Sequence, residues 1–76
     1  MFIATARIPK EHFDRDPVVR AKIDAMQRHL ENLAQEGGLD PQFNVVRVIT
    51  ESEVRIGISE DMELFLREVP GTAAYH

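Results

Sequence analysis

Residues 59–71 have the sequence SEDMELFLREVPG, and this stretch decides the fold of the chain. Its apolar residues recur at i, i+3, i+4 and i+7, the spacing of one helix face, and they are Met62, Phe65, Leu66 and Val69. Ser59 is a favourable N-cap, and Pro70 with Gly71 ends the pattern. The stretch therefore predicts an amphipathic helix, with room after it for one more short element.

Strands are predicted on both sides of this helix and at the start of the chain. The stretches with strand character are residues 2–8, 43–50, 53–59 and, more briefly, 72–75. Pro9 ends the first strand, because proline cannot donate a hydrogen bond to a sheet ladder. The polar pair Glu51-Ser52 predicts a short loop between the second and third strands. Residues 10–15 and 39–42 are expected to form a polar connection and a turn.

A long helix is predicted over residues 17–36. Asp16 is an N-cap residue and Pro17 follows it at the first helical position, a combination that favours a helix start. Gly37-Gly38 is expected to close the helix, with Gly37 able to take the left-handed conformation that ends it. The apolar stripe that should face the core consists of Val19, Ile23, Met26, Leu30 and Leu33.

The element order predicts a single α+β domain over residues 1–76. Strand, helix, strand, strand, helix and a brief last strand form the βαββα(β) order of a ferredoxin-like sandwich, with two helices on one face of an antiparallel sheet. A chain of 76 residues buries only about 60% of its unfolded surface, and without cysteine it has no disulfide to stabilise it. We therefore expect association with another chain to add stability.

The two central strands predict where that association takes place. The third strand alternates cleanly, with Val54, Ile56 and Ile58 on one face. The second strand has large apolar residues on both faces, so some remain on the face without helices in either register. This surplus predicts a homodimer whose sheets pack face to face or join at their edges, and the alternative is a monomer with scattered surface valines. The predicted interface residues are Val45, Val46, Val48 and Ile49.

The negative charge of the chain lies in its second half. Residues 1–36 contain six acidic and six basic side chains, whereas residues 37–76 contain seven acidic side chains and three arginines, which accounts for the net charge of −4. We expect an acidic edge formed by Glu51, Glu53, Glu60, Asp61 and Glu63. One interpretation is a solvated rim that aids solubility, and the other is a surface that binds a basic protein partner.

No motif in the sequence indicates catalysis, a cofactor or a metal. The histidines are not paired at i, i+4, no cysteine nucleophile exists, and no phosphate-binding glycine motif occurs. The third strand lacks the exposed aromatic residues that RNA-recognition modules of this topology use, so we expect no nucleic-acid partner. The apolar start of the chain is too short to span a membrane, and we expect a cytoplasmic protein without membrane association.

The layout is similar to that of small dimeric α+β-barrel proteins of the muconolactone isomerase and antibiotic monooxygenase types. Like them, the chain starts with a strand and has a long first helix that ends in glycine, here ENLAQEGG over residues 31–38. The resemblance implies a ligand site between sheet and helices, to which position would assign Arg7, His29, Arg47 and Tyr75.

Two functions follow from these patterns. The leading prediction is a small non-enzymatic interaction or regulatory module, of the accessory or inhibitor kind, that is homodimeric and presents its acidic edge to a partner. The alternative is a small dimeric enzyme or ligand-binding protein of the α+β-barrel layout. A deep pocket lined by the predicted ligand residues would favour the alternative.

Overall fold

The computed structural model describes residues 2–68, which form a mixed α+β structure with a three-stranded antiparallel sheet and four helices. The elements in chain order are β1 Phe2–Pro9, α1 Lys10–Arg15, α2 Pro17–Glu36, α3 Pro41–Asn44, β2 Val45–Ile49, β3 Glu53–Ser59 and α4 Glu60–Glu68. The predicted brief strand over residues 72–75 lies outside the described residues. The coarse α+β prediction is confirmed.

The two predicted helix starts are confirmed by their caps. The side chain of Asp16 accepts a hydrogen bond from the backbone N–H of Val18 at 2.9 Å, and Pro17 begins α2. The hydroxyl of Ser59 accepts a hydrogen bond from the backbone N–H of Met62 at 3.0 Å and caps α4. Each cap satisfies a backbone donor that has no partner within its helix.

The end of α2 differs from the prediction in one detail. Gly37 has a φ of −84°, and it is Gly38 that adopts the left-handed conformation, with a φ of 75°. Gly37 is needed for another reason, because a Cβ atom there would lie 2.7 Å from the ring of Phe65. The glycine pair therefore closes the helix as predicted, but the left-handed residue is Gly38, and Gly37 instead provides space for Phe65.

The predicted connection over residues 10–15 is in fact the helix α1. Two ion pairs at i, i+4 follow its surface, Lys10 with Asp14 at 2.8 Å and Glu11 with Arg15 at 2.9 Å. Its one large apolar residue, Phe13, packs against the core. A helix of one and a half turns is not stable alone, so this tertiary contact explains why the polar sequence folds in this way.

A second short helix shortens the predicted second strand. Asp40 accepts a hydrogen bond from the backbone N–H of Gln42 at 2.9 Å, and Pro41 begins α3. Phe43 therefore belongs to α3, and β2 begins only at Val45. The expected turn over residues 39–42 was wrong because Asp40-Pro41 provides a helix start as well as a turn signal.

The sheet has the strand order β1-β3-β2, and both pairs of neighbours are antiparallel. The register of β1 against β3 shifts between Ala4 and Ala6, which marks a bulge at Thr5. The Thr5 hydroxyl donates a hydrogen bond to the backbone carbonyl of Ile56 at 3.1 Å. Within residues 2–68 the central strand is β3, and β1 and β2 each have one free edge.

The core lies between one face of the sheet and the helices. The buried core residues are Ile23, Leu30, Ala34, Val45, Val54, Ile56, Ile58 and Met62. The predicted alternation of β3 is confirmed, since its three core residues all face the helices. The predicted stripe of α2 needs one correction, because Met26 is 37% exposed and Ala34 instead continues the buried row.

Candidate functional site

The register between β2 and β3 decides which residues of β2 remain on the open face, the sheet face that no described helix covers. Val46 lies opposite Gly57 and Val48 opposite Arg55, so both valines are on the open face. Val45 lies opposite Ile58, is only 5% exposed and belongs to the core. Val45 therefore has no surface for a partner, and this part of the predicted interface was wrong. Ile49 lies on the helix side at the exposed end of β2.

The open face has an apolar region around Gly57. Phe2 and Ala4 of β1 are exposed there, and Val48 is 41% exposed. A Cβ atom at Gly57 would lie 3.2 Å from Cγ2 of Val46 and 3.3 Å from Cβ of Phe2. The glycine therefore allows side chains from both neighbouring strands to close over the central strand, which makes a continuous apolar surface.

A charged cluster occupies the other end of the open face. The carboxylate of Glu53 lies 2.5 Å from Nε of Arg55 and 4.0 Å from Nε of Arg7. Glu53 is thus closely paired with Arg55, whereas Arg7 is more distant and its side chain is largely exposed. Two guanidinium groups share one carboxylate, so Arg7 has only a distant partner, while the exposed Glu51 of the adjoining hairpin loop balances the charge of this end as a whole.

The predicted acidic edge separates into paired and unpaired carboxylates. Glu53 pairs with Arg55, and Glu63 forms an ion pair with Arg67 one turn later on α4. The other three acidic residues are exposed and have no ion pair among residues 2–68; they are Glu51, Glu60 and Asp61. Strand β3 separates the hairpin loop from the start of α4. Glu51 therefore lies at one end of this strand and Glu60 and Asp61 at the other, about 20 Å away.

A shallow cavity of about 270 Å³ lies beside the start of α4. Its lining brings together two aromatic and two acidic side chains, and the full set is Phe2, Phe43, Ser59, Glu60 and Asp61. Phe43 is 67% exposed because α3 carries it away from the sheet. The Ser59 hydroxyl is already used, since it donates to Oδ1 of Asn44 at 2.6 Å and caps α4.

This cavity was not predicted from the sequence. Its residues come from β1, α3 and the β3–α4 junction, and no local pattern connects them. The helix-start signal of Asp40-Pro41 could have indicated that Phe43 leaves the strand. The approach of Phe2 depends on strand pairing across more than fifty residues of sequence, which no short motif encodes.

The three described residues that were expected to line a ligand pocket do not come together. Arg7 is on the open face, whereas Arg47 lies on the helix side, where it donates to Asp24 of α2 at 2.5 Å. The Arg47 guanidinium is also 5.9 Å from the centre of the Phe13 ring. His29 is exposed on α2, and Tyr75 lies outside the described residues. This geometry gives no support to the α+β-barrel alternative.

Both free edges of the described sheet have features that oppose strand addition. On β1 they are the bulge at Thr5 and the terminal Pro9. On β2 the feature is Arg47, which points to the helix side although it is surrounded by valines and isoleucine. A new strand beside β2 would bury the Arg47–Asp24 pair further, and inward-pointing charges of this kind discourage edge-to-edge pairing.

Two other kinds of site are absent from residues 2–68. No group of three or more histidine, aspartate or glutamate side chains is arranged to hold a metal ion. No helix in this part of the chain has the length and apolar character needed to cross a bilayer.

No family model, curated protein or solved structure matches the chain. The assignment of function therefore depends on the geometry of the open face and of the cavity beside it.

Proposed function

We propose that the chain is a small non-enzymatic protein-interaction module that binds a second copy of itself through the open face. The supporting observation is the apolar region formed by Phe2, Val46 and Val48 on a sheet face that no described helix covers. The opposite face of the same sheet is closed by α1, α2 and α4. A sheet with one closed and one apolar open face gains hydrophobic free energy when the open face is buried.

A second sheet is the occupant that fits the shape of this face. Two sheets pack face to face at about 10 Å, with the side chains of the inner faces interdigitating. The apolar side chains around Gly57 form a low, continuous surface of the kind that such packing requires. Because the edges of β1 and β2 oppose strand addition, the open face is the more favourable route to association.

The size of the face predicts a weak dimer. Three strands spaced about 4.8 Å apart and about 20 Å long present roughly 300 Å² of sheet. Stable interfaces commonly bury about 800 Å² on each partner. The ends of the face, which include Phe43 and the start of α4, must therefore contribute, and we expect a dissociation constant in the micromolar range.

Substitution of Val48 tests this proposal. Val48→Lys places a charge on the open face without disturbing the core, and it should convert the dimer to a monomer at about 100 μM. Val18→Lys is the matched control, because Val18 lies at the start of α2 and is more exposed than Val48, at 60% against 41%. Light scattering after gel filtration should give a monomer for Val48→Lys and a dimer for Val18→Lys. Dimers for both variants, with unchanged circular dichroism, would reject the open face.

The proposal retains a basic protein partner for the acidic residues and a cytoplasmic location. Glu51 at the hairpin has no ion pair among residues 2–68, so Glu51→Lys is the charge reversal that leaves the Glu53–Arg55 pair intact. Binding to a poly-lysine column should weaken in Glu51→Lys and with added salt. Unchanged retention on the column would mean that the acidic loop aids solubility and does not bind a basic partner.

We also propose that the sheet is part of a ferredoxin-like sandwich. The order β1-β3-β2, with α2 connecting the outer strands and α4 following β3, agrees with a βαββα unit. In that fold a fourth strand pairs with the free edge of β1, which the bulge at Thr5 and the terminal Pro9 limit to a short stretch of pairing. NMR contacts between backbone protons of residues 72–75 and those of β1 would test it, and their absence would remove the fourth strand.

A further inference from the structure

We infer that the two copies are related by a two-fold axis across the strands, so that Arg7 of each copy enters the cavity of the other. The cavity in question is the one lined by Phe2, Phe43, Glu60 and Asp61. This inference rests on the proposed dimer, and it names the basic partner of Glu60 and Asp61 as the second copy of the chain.

The open face has two electrostatically different ends. Arg7 pairs in register with Arg55, and Phe2 pairs with Ser59, which places the arginines and the cavity about 13 Å apart along β3. At the first end Arg7 is the more distant of the two arginines that approach the carboxylate of Glu53. At the second end Glu60 and Asp61 have no ion pair among the described residues. The face therefore has the loosely paired Arg7 at one end, where Glu53 and the hairpin residue Glu51 balance the two arginines, and unpaired acids at the other end.

When the strands of the two copies are aligned, as in most face-to-face sheet packing, a two-fold axis leaves two ways to pack such a face on its copy. An axis along the strands places like ends together, so that Arg7 and Arg55 of one copy oppose Arg7 and Arg55 of the other. An axis across the strands places the end with Arg7 and Arg55 over the acidic end of the partner and keeps the acidic ends of the two copies apart. Like charges brought together at an interface are unfavourable, so the charge distribution selects the second arrangement.

The cavity has the chemistry to hold a guanidinium group. Exposed aromatic rings attract cations within about 6 Å of the ring centre, and the attraction increases as water is removed. The carboxylates of Glu60 and Asp61 supply hydrogen-bond acceptors that match the planar guanidinium. The methylene groups of the long arginine side chain span the gap between packed sheets. Two symmetric contacts of this kind would also enlarge the small interface.

Neutral substitutions distinguish the two arrangements by the sign of their effect. The variants are Arg7→Gln, the pair Glu60→Gln with Asp61→Asn, and all three changes together. If Arg7 binds the cavity of the second copy, each of the first two should raise the dimer dissociation constant by roughly tenfold, since symmetry removes two contacts at once. The dissociation constant of the triple variant should be no higher than that of Arg7→Gln or of the acid pair, because all three changes remove the same contact.

The matched controls are Arg15→Gln on α1 and Glu68→Gln at the end of α4. Both are exposed side chains outside the open face, and both should leave the dissociation constant within about twofold of the unmodified protein. Replacing the acids at the start of α4 also removes a favourable interaction with the helix dipole. Arg7→Gln does not touch that helix, so its effect decides the question independently of any change in stability.

Sedimentation equilibrium gives results that separate this inference from the proposed function. Weakening by Arg7→Gln and by the acid pair, without additivity in the triple variant, supports the axis across the strands. Tighter or unchanged dimers in Arg7→Gln overturn the inference and leave the open-face dimer standing. A monomeric unmodified protein overturns both.

Discussion

Gly37 leaves the ring of Phe65 the space to lie against the end of α2. A Cβ atom at position 37 would be 2.7 to 2.9 Å from three atoms of that ring, closer than any normal contact. The neighbouring Gly38 has open space around it but a positive φ. The two adjacent glycines are therefore needed for different physical reasons, space at position 37 and backbone conformation at position 38. Substitutions at the two positions can distinguish these reasons.

Gly37→Ala should lower the free energy of unfolding by about 1–3 kcal/mol, because the added methyl group forces the Phe65 ring to move. Gly38→Asn should cost much less, since asparagine tolerates the left-handed conformation. Urea denaturation monitored by circular dichroism measures both. In the double variant Gly37→Ala with Phe65→Leu, the smaller side chain should recover part of the loss. A Gly37→Ala protein as stable as the original would contradict the close approach of the Phe65 ring to position 37.

At the scale of elements, α2 and β2 each combine a structural face with an exposed one. Helix α2 presents Ile23, Leu30 and Ala34 to the core, whereas Met26 reaches solvent. Strand β2 presents Val45 to the core and Val46 and Val48 to the open face. The side on which each residue lies therefore predicts whether its substitution changes stability or association.

Leu30 and Met26 provide a direct comparison on one helix. Leu30 is 7% exposed, and Leu30→Ala should lower the free energy of unfolding by about 2–5 kcal/mol. Met26→Ala one turn earlier should lower it by less than about 1 kcal/mol, because this side chain is already partly in water. Thermal and urea denaturation of the two variants would show the difference. Equal losses would mean that the buried stripe of α2 is misassigned.

Arg47 should control association at the edge of β2. Arg47→Val gives the strand the sequence VVVVI and removes the inward charge, so edge-to-edge pairing and aggregation should increase. Lys22→Val is the control, since Lys22 is exposed on α2 and lies on the other side of the buried Ile23 from Asp24, the partner of Arg47. Light scattering over hours at 37 °C measures the effect. If both variants remain equally soluble, Arg47 does not protect this edge.

At the scale of the whole molecule, the local signals in the sequence were sufficient for the long elements. Asp16-Pro17 and Ser59 start α2 and α4 as predicted, because capping depends on residues a few positions apart. The short helices were missed, since α1 depends on the packing of Phe13 against a core built from distant residues. Local propensity is a weak guide where tertiary contacts decide the structure.

The candidate site was only partly predictable for the same reason. The surplus of apolar residues on β2 predicted an exposed strip, but the choice of Val46 and Val48 over Val45 depends on the register with β3. The cavity joins Phe2, Phe43 and the start of α4, which are distant in sequence. Its lining became apparent only when strand pairing and α3 had placed these side chains together.

The central claim is that two copies associate through the open face, and the mass of the unmodified protein in solution tests it most directly. The chain has a mass of 8.7 kDa, so a dimer has twice that, about 17 kDa. Sedimentation equilibrium from about 1 to 100 μM covers the range expected for a micromolar dissociation constant. We predict an average mass that rises with concentration from the monomer toward the dimer. A mass that remains at 8.7 kDa across the whole range would contradict the account.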